Sequence, residues 1–153
     1  MHRRFFLAAG AAAAAVSAGS TASAASGPKV TVYKTASCGC CRGWVTAMAR
    51  AGFAPTVVDV EDISHLWRKR GVPDALSSCH IAEVGGYVTV GHVPPQDVRR
   101  LLAERPKAIG LTVPGMPTGS PGMEHPDGLA HPYSVELVLE DGSVREFSRY
   151  PAD

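Results

Sequence analysis

Apolar and polar positions first alternate at Lys29 to Lys34 (K-V-T-V-Y-K), which is the period of a strand. A turn-rich loop, Thr35 to Gly39, follows, and a helical pattern begins at Cys40 or Cys41. Trp44, Val45, Met48 and Ala51 form the apolar stripe of that helix, and Gly52 suits its C-terminal cap. Pro55 to Val60 reads as a second strand. Asp62 or Ser64 then caps a short helix that runs to Arg70 and stops at Gly71. Cys79 to Val84 and Tyr87 to Val90 are two strands joined at Gly85-Gly86, a hairpin signal. Pro95 to Glu104 reads as a helix with Pro in its first turn and Val98, Leu101 and Leu102 inward. Pro114 to Pro132, rich in Pro, Gly, Met and His, fits no regular element, and so long a loop in a compact domain is functional or disordered. Two alternating runs, Tyr133 to Glu140 and Ser143 to Tyr150, flank Asp141-Gly142 as a closing hairpin.

The order strand, cysteine loop, helix, strand, helix, hairpin, helix is the thioredoxin-like order. The expected fold class is therefore α/β: a thioredoxin-like domain over residues 29–153 that includes loop 114–132 and carries a C-terminal β-hairpin extension. In that arrangement the cysteine loop opens the first helix, whose free N–H groups and partial positive charge stabilise thiolates.

The chain starts differently from a folded domain. Arg3 and Arg4 precede an unbroken apolar run from Phe5 to Val16, and Ala22-Ser23-Ala24 forms an A-x-A cleavage site. Residues 1–24 are thus expected to be a signal peptide, cleaved near Ala24, with 25–28 a short leader and the mature protein periplasmic. Arg3-Arg4-Phe5-Phe6-Leu7 also resembles the twin-arginine export signal, although ordinary secretory signals begin with arginines too. The apolar run is shorter than the ~20 residues that span a bilayer, so no membrane span is expected after cleavage. A formal net charge of +1, with no basic run longer than Arg68-Lys69-Arg70, gives no footprint for nucleic acid.

With 4 cysteines the chain is too poor in thiols for a disulfide-built scaffold, so they call for a chemical explanation. Three of them sit in Cys38-Gly39-Cys40-Cys41, and Cys79 is the fourth, beside the cysteine loop if the thioredoxin-like order holds. Soft thiolates select Cu(I), Zn(II) or iron–sulfur clusters. Adjacent Cys40 and Cys41 chelate one tetrahedral zinc poorly, and the spacing fits no common iron–sulfur pattern. Sulfurs that bridge several Cu(I) ions suit this spacing best. Export strengthens the point, since thiols in an oxidising compartment need a ligand or a reductant to persist.

Several longer motifs accompany the cysteines. They are Tyr33-Lys34, Trp44, Ser78-Cys79-His80, Gly86-Tyr87, Gly91-His92-Val93-Pro94, Leu101-Leu102, Val113-Pro114-Gly115-Met116-Pro117 and Gly119-Ser120-Pro121-Gly122-Met123-Glu124. Together they resemble the CopG-type periplasmic copper-resistance proteins, over nearly all of the chain from Val30 onward. The resemblance implies a thioredoxin-like fold, a cysteine-bridged Cu(I) cluster and a role in copper tolerance with redox chemistry on copper. Three positions depart from the pattern: Ala47 stands where His is expected, Val90 where Glu is common, and His125 where Met or Gly is usual.

The expected metal ligands are Cys38, Cys40, Cys41 and Cys79, with Met116, Met123, His80 and His125 as lesser candidates. His80 follows Cys79 on a predicted strand, so the two side chains are expected on opposite faces. His92 and His65 read more readily as surface or structural histidines, whereas His125 and His131 offer a second, weaker copper site. Met48 belongs to the core, and Trp44 either fills the core or shields the cluster. The leading reading is an exported, multinuclear Cu(I)-binding protein that takes copper from, or passes it to, a chaperone, an exporter or a redox partner. The second is a thiol-disulfide or copper oxidoreductase in which Cys38 attacks and Cys41 resolves. A zinc- or disulfide-stabilised binding module ranks last, because the core suffices alone.

Overall fold

A computed structural model describes residues 27–151; the segment read as a signal peptide, 1–24, lies outside the described residues. The elements in order are β1 (Lys29–Lys34), α1 (Gly39–Arg50), β2 (Ala54–Asp59), α2 (Ser64–Lys69), β3 (His80–Val84), β4 (Tyr87–Val90), α3 (Pro95–Glu104), β5 (Ala108–Thr112), β6 (Tyr133–Leu139) and β7 (Val144–Tyr150). A single 3-10 turn, Asp74–Leu76, leads into β3. None of the described helices is long and apolar enough to cross a membrane.

The fold is mixed α/β, with one 7-stranded sheet ordered β2-β1-β3-β4-β5-β6-β7. Strand β1 runs parallel to β2 and antiparallel to β3, and β4 runs antiparallel to β3 and parallel to β5. Alternation along the strands sorts side chains to two faces. Val30, Val32, Ala82 and Val84 pack with Trp44 and Met48 of α1 and with Val98 and Leu101 of α3. Ile81, Val88 and Val90 pack on the other face with Ile63 and Trp67, around α2.

Strand β5 was not expected, and it changes the place of the closing hairpin. It pairs with β4 on one side and β6 on the other, so β6 and β7 continue the main sheet rather than extend it. Gly85 and Gly86, at φ 56° and 91°, make the tight turn that pairs Val84 with Tyr87. The same register pairs Ile81 with Val90. The two ends of the hairpin therefore bring the residues just outside it, Cys79 and His92, to one place beside the N-terminus of α1.

Candidate metal centre

Cys38 is the N-cap of α1, and Cys40 and Cys41 lie in its first turn. No acidic side chain occupies that turn and no side chain caps it, so the positive end of the helix is left to the sulfurs. Cys38 and Cys41 are joined in a disulfide, with Cα atoms 5.5 Å apart, and Cys40 and Cys79 are free. In this state only two of the four sulfurs are thiols. Cys40 Sγ lies 3.6 Å from Cys38 Sγ and 3.7 Å from Cys79 Sγ, and all four sulfurs fall within 4.8 Å of one another. Thiolates ~2.3 Å from one metal ion at tetrahedral angles stand roughly 3.8 Å apart, so these spacings suit shared ligation.

Cys79 occupies a bend, and β3 starts only at His80. The expected opposition of the two side chains therefore fails, because strand alternation does not reach Cys79. Its Sγ lies 3.4 Å from His80 Nδ1 and 3.1 Å from His92 Nε2. His92 Nδ1 donates to the Pro121 carbonyl at 2.8 Å, which leaves Nε2 unprotonated and turned to the sulfur. Burial, reinforced by the Cys40 thiol beside it, pushes the Cys79 thiol up to about 12. The Cys79 S–H is therefore kept in the metal-free chain and is shared with His92. The His80 ring packs 4.6 Å from Trp44, whose Nε1 donates to Val93 O at 2.8 Å and ties α1 to the turn that carries His92.

Burial, and secondarily His92, lowers the His80 imidazole from 6.5 to about 3, and burial lowers His92 as well. Both rings are thus neutral in the fold, the form in which an imidazole can bind a metal ion. A stability prediction follows from the sign. Below its ordinary value of 6.5 the unfolded chain takes up a proton that folded His80 refuses, so stability falls as pH falls through that value toward 3. The expected loss is up to about 1.4 kcal/mol per pH unit within that window. Melting of the metal-free protein checks this, and an unchanged midpoint between about pH 7 and about pH 5 would refute it.

Loop 114–132 holds no helix or strand, yet it is held against α1 by contacts between backbones. A Cβ built at Gly43 would lie 2.7 Å from Gly122 Cα and 3.1 Å from its carbonyl oxygen, so the pair of glycines permits this approach. Gly115 N donates to Ser77 O at 3.3 Å, and Ser78 Oγ donates to Gly115 O. Met116 follows and sets its Sδ 3.8 Å from Cys40 Sγ, half exposed at the mouth of the cluster. Met123 is half-buried, with its backbone bonded to Ser120 and Gly119. His125 is exposed and faces Asp127 at 3.7 Å, and His131 and His65 are exposed. Two sets of three or more His, Cys, Asp or Glu ligands occur among the described residues: the four cysteines, and Cys79 with His80 and His92. Neither includes His125 or His131.

Two solved structures share this architecture. One, titled "Copper resistance protein copG- Form 2", is 36% identical, with a TM-score of 0.77, and the match covers 82% of this chain and 99% of that one. The chain belongs to the CopG copper resistance proteins. The other CopG structure, titled Form 1, matches at 36% identity and a TM-score of 0.76 over 81% of this chain and 98% of that one. The family described as "Protein of unknown function, DUF411" matches residues 76–123, the stretch that carries Cys79, His80, His92 and Met116. No curated protein matches the chain.

His92, read from the sequence as a surface or structural histidine, is buried and lies beside Cys79. The signal was present: a two-residue turn at Gly85-Gly86 fixes the register that lays residue 92 beside residue 79. Of the departures from the CopG pattern, Val90 is fully buried in the core around α2, and Ala47 is half-buried on α1.

Proposed function

We propose that this protein is an exported copper-tolerance protein that, once reduced, holds several Cu(I) ions in a cluster bridged by Cys38, Cys40, Cys41 and Cys79. The observation that carries this reading is the convergence of four sulfurs within 4.8 Å from two separate segments. The donor chemistry fits: thiolates and a thioether are the ligands Cu(I) prefers. Met116 is the best placed of the lesser ligands, with Met123, His80 and His125 behind it. The sheet order β2-β1-β3-β4, with β3 antiparallel to its neighbours and the cysteine loop between β1 and α1, supports a thioredoxin-like reading of this half of the fold. Periplasmic location rests on the signal-like pattern of residues 1–24. Copper then comes from, or goes to, a periplasmic chaperone, exporter or redox partner.

The pairing of Cys38 with Cys41 favours a second reading, a thiol-disulfide or copper oxidoreductase. Joining the two thiols releases two electrons and two protons, enough to reduce two Cu(II) to Cu(I), and a reductant must then reopen the disulfide. The two readings use the same sulfurs and are compatible. Anaerobic titration of the reduced protein with Cu(I) tests the first, and more than one copper per chain is expected. Binding of zinc alone, or of less than one copper per chain, would rule it out.

A further inference from the structure

Cys79 stands between two donor sets. On one side are the sulfurs of the helix loop, of which two are tied up in the Cys38–Cys41 disulfide. On the other side are His80 and His92, both fully buried, whose ring nitrogens lie 3.4 and 3.1 Å from its sulfur. A thiolate and an imidazole nitrogen bound to one ion, at roughly 2.3 and 2.0 Å and near tetrahedral angles, stand about 3.5 Å apart. The observed spacing is that of ligands around a single ion. The hydrogen bond from His92 Nδ1 to Pro121 O fixes the ring and frees Nε2, the usual way a ligating imidazole is oriented. The Cys79 sulfur is the polar partner of the His80 ring among the described residues, through Nδ1, while the buried Nε2 has none, so the polar contact of this ring is directed at the proposed site. Cys79 is only half-buried, which leaves an ion a way in.

We propose that Cys79, His80 and His92 form a mononuclear site of their own, which takes one divalent ion of the Cu(II) or Co(II) class in the disulfide-bonded chain. One thiolate and two neutral imidazoles are harder than the four-sulfur set and suit the divalent state. Oxidation of Cys38 and Cys41 thus shifts the chain from a sulfur site to a nitrogen–sulfur site instead of abolishing metal binding. The site shares Cys79 with the proposed Cu(I) cluster but does not require that cluster to exist.

Co(II) is the probe, because it reports thiolate and imidazole ligation without changing oxidation state. It is added to oxidised protein in which thiol counting finds two free thiols. One Co(II) per chain is expected, with a sulfur-to-cobalt charge-transfer band and two exchangeable, paramagnetically shifted imidazole N–H signals in the wild type. Cys79→Ser abolishes the band, Cys40→Ser retains it, and His92→Ala weakens binding by more than the roughly 10- to 100-fold that loss of an orienting partner costs. Four free thiols after mild oxidation, no charge-transfer band, or a band lost in Cys40→Ser and untouched in His92→Ala would each overturn the proposal. If His92→Ala does not fold, the wild-type spectrum decides, since fewer than two imidazole signals would refute the site. The Cu(I) titration of reduced protein is independent, so either reading can fail without the other.

Discussion

Cys79→Ser is expected to cost the reduced protein at least half of its Cu(I), while its melting temperature stays close to that of the parent. Cys79 is the one cysteine outside the helix loop, and its Sγ stands 3.7 Å from Cys40 Sγ. Without it the remaining three sulfurs lie within a four-residue span and close the cluster from one side only. A serine oxygen is a hard donor and does not replace a bridging thiolate for Cu(I). The fold should tolerate the change, because a serine hydroxyl can still donate toward His92 Nε2, as the thiol does at 3.1 Å. Met116→Leu gives the useful contrast. That thioether is neutral, its residue is 52% exposed, and of the four sulfurs it lies against Cys40 at 3.8 Å, so its loss should weaken copper binding without halving the count. Metal analysis after anaerobic reconstitution measures both. A full complement of copper on Cys79→Ser would sink the four-sulfur assignment.

The parts of this arrangement that were legible are those written in local pattern. The helices, both hairpins and the cysteine loop follow from period and turn chemistry, and each falls within a residue or two of its expected ends. Strand β5 was missed because Ala108–Thr112 is a five-residue run with no turn signal of its own, set between a helix and the Pro-rich loop. It is a strand because β4 and β6 hydrogen-bond it from either side, which is a tertiary cause. The Cys79–His80 pair was misplaced for a different reason. Alternation holds only within the strand, and Cys79 lies one residue before it, in a bend that turns both donors toward the same place. The disulfide between Cys38 and Cys41 was one of two readings of the motif, and spacing alone does not choose between paired and free thiols.

Gly43→Ala is expected to destabilise the protein and to loosen the proposed copper site together, although alanine is the better helix former. In an exposed helix the change would stabilise by about 1 kcal/mol. Here the new methyl would meet Gly122 backbone at 2.7 and 3.1 Å, atoms that cannot rotate away. Overpacking of this kind costs ~1–3 kcal/mol, so the net change is a loss. For a domain of this size a loss near 1 kcal/mol lowers the melting temperature by roughly 4 °C. The loop that is pushed off α1 carries Met116 to Cys40 and the Pro121 carbonyl to His92, so both donor sets should loosen with it. Gly39→Ala, in the same helix, separates this from any general effect of alanine. A Cβ at Gly39 finds only the far end of the Arg42 side chain, at 3.9 Å, so this variant should show no loss of stability or of copper binding. Equal melting temperatures for the two variants would mean that loop 114–132 is not held by the Gly43–Gly122 approach. A drop confined to Gly43→Ala, with weaker copper binding, would place the control of the site in a contact between two backbones that no side chain in the sequence announces.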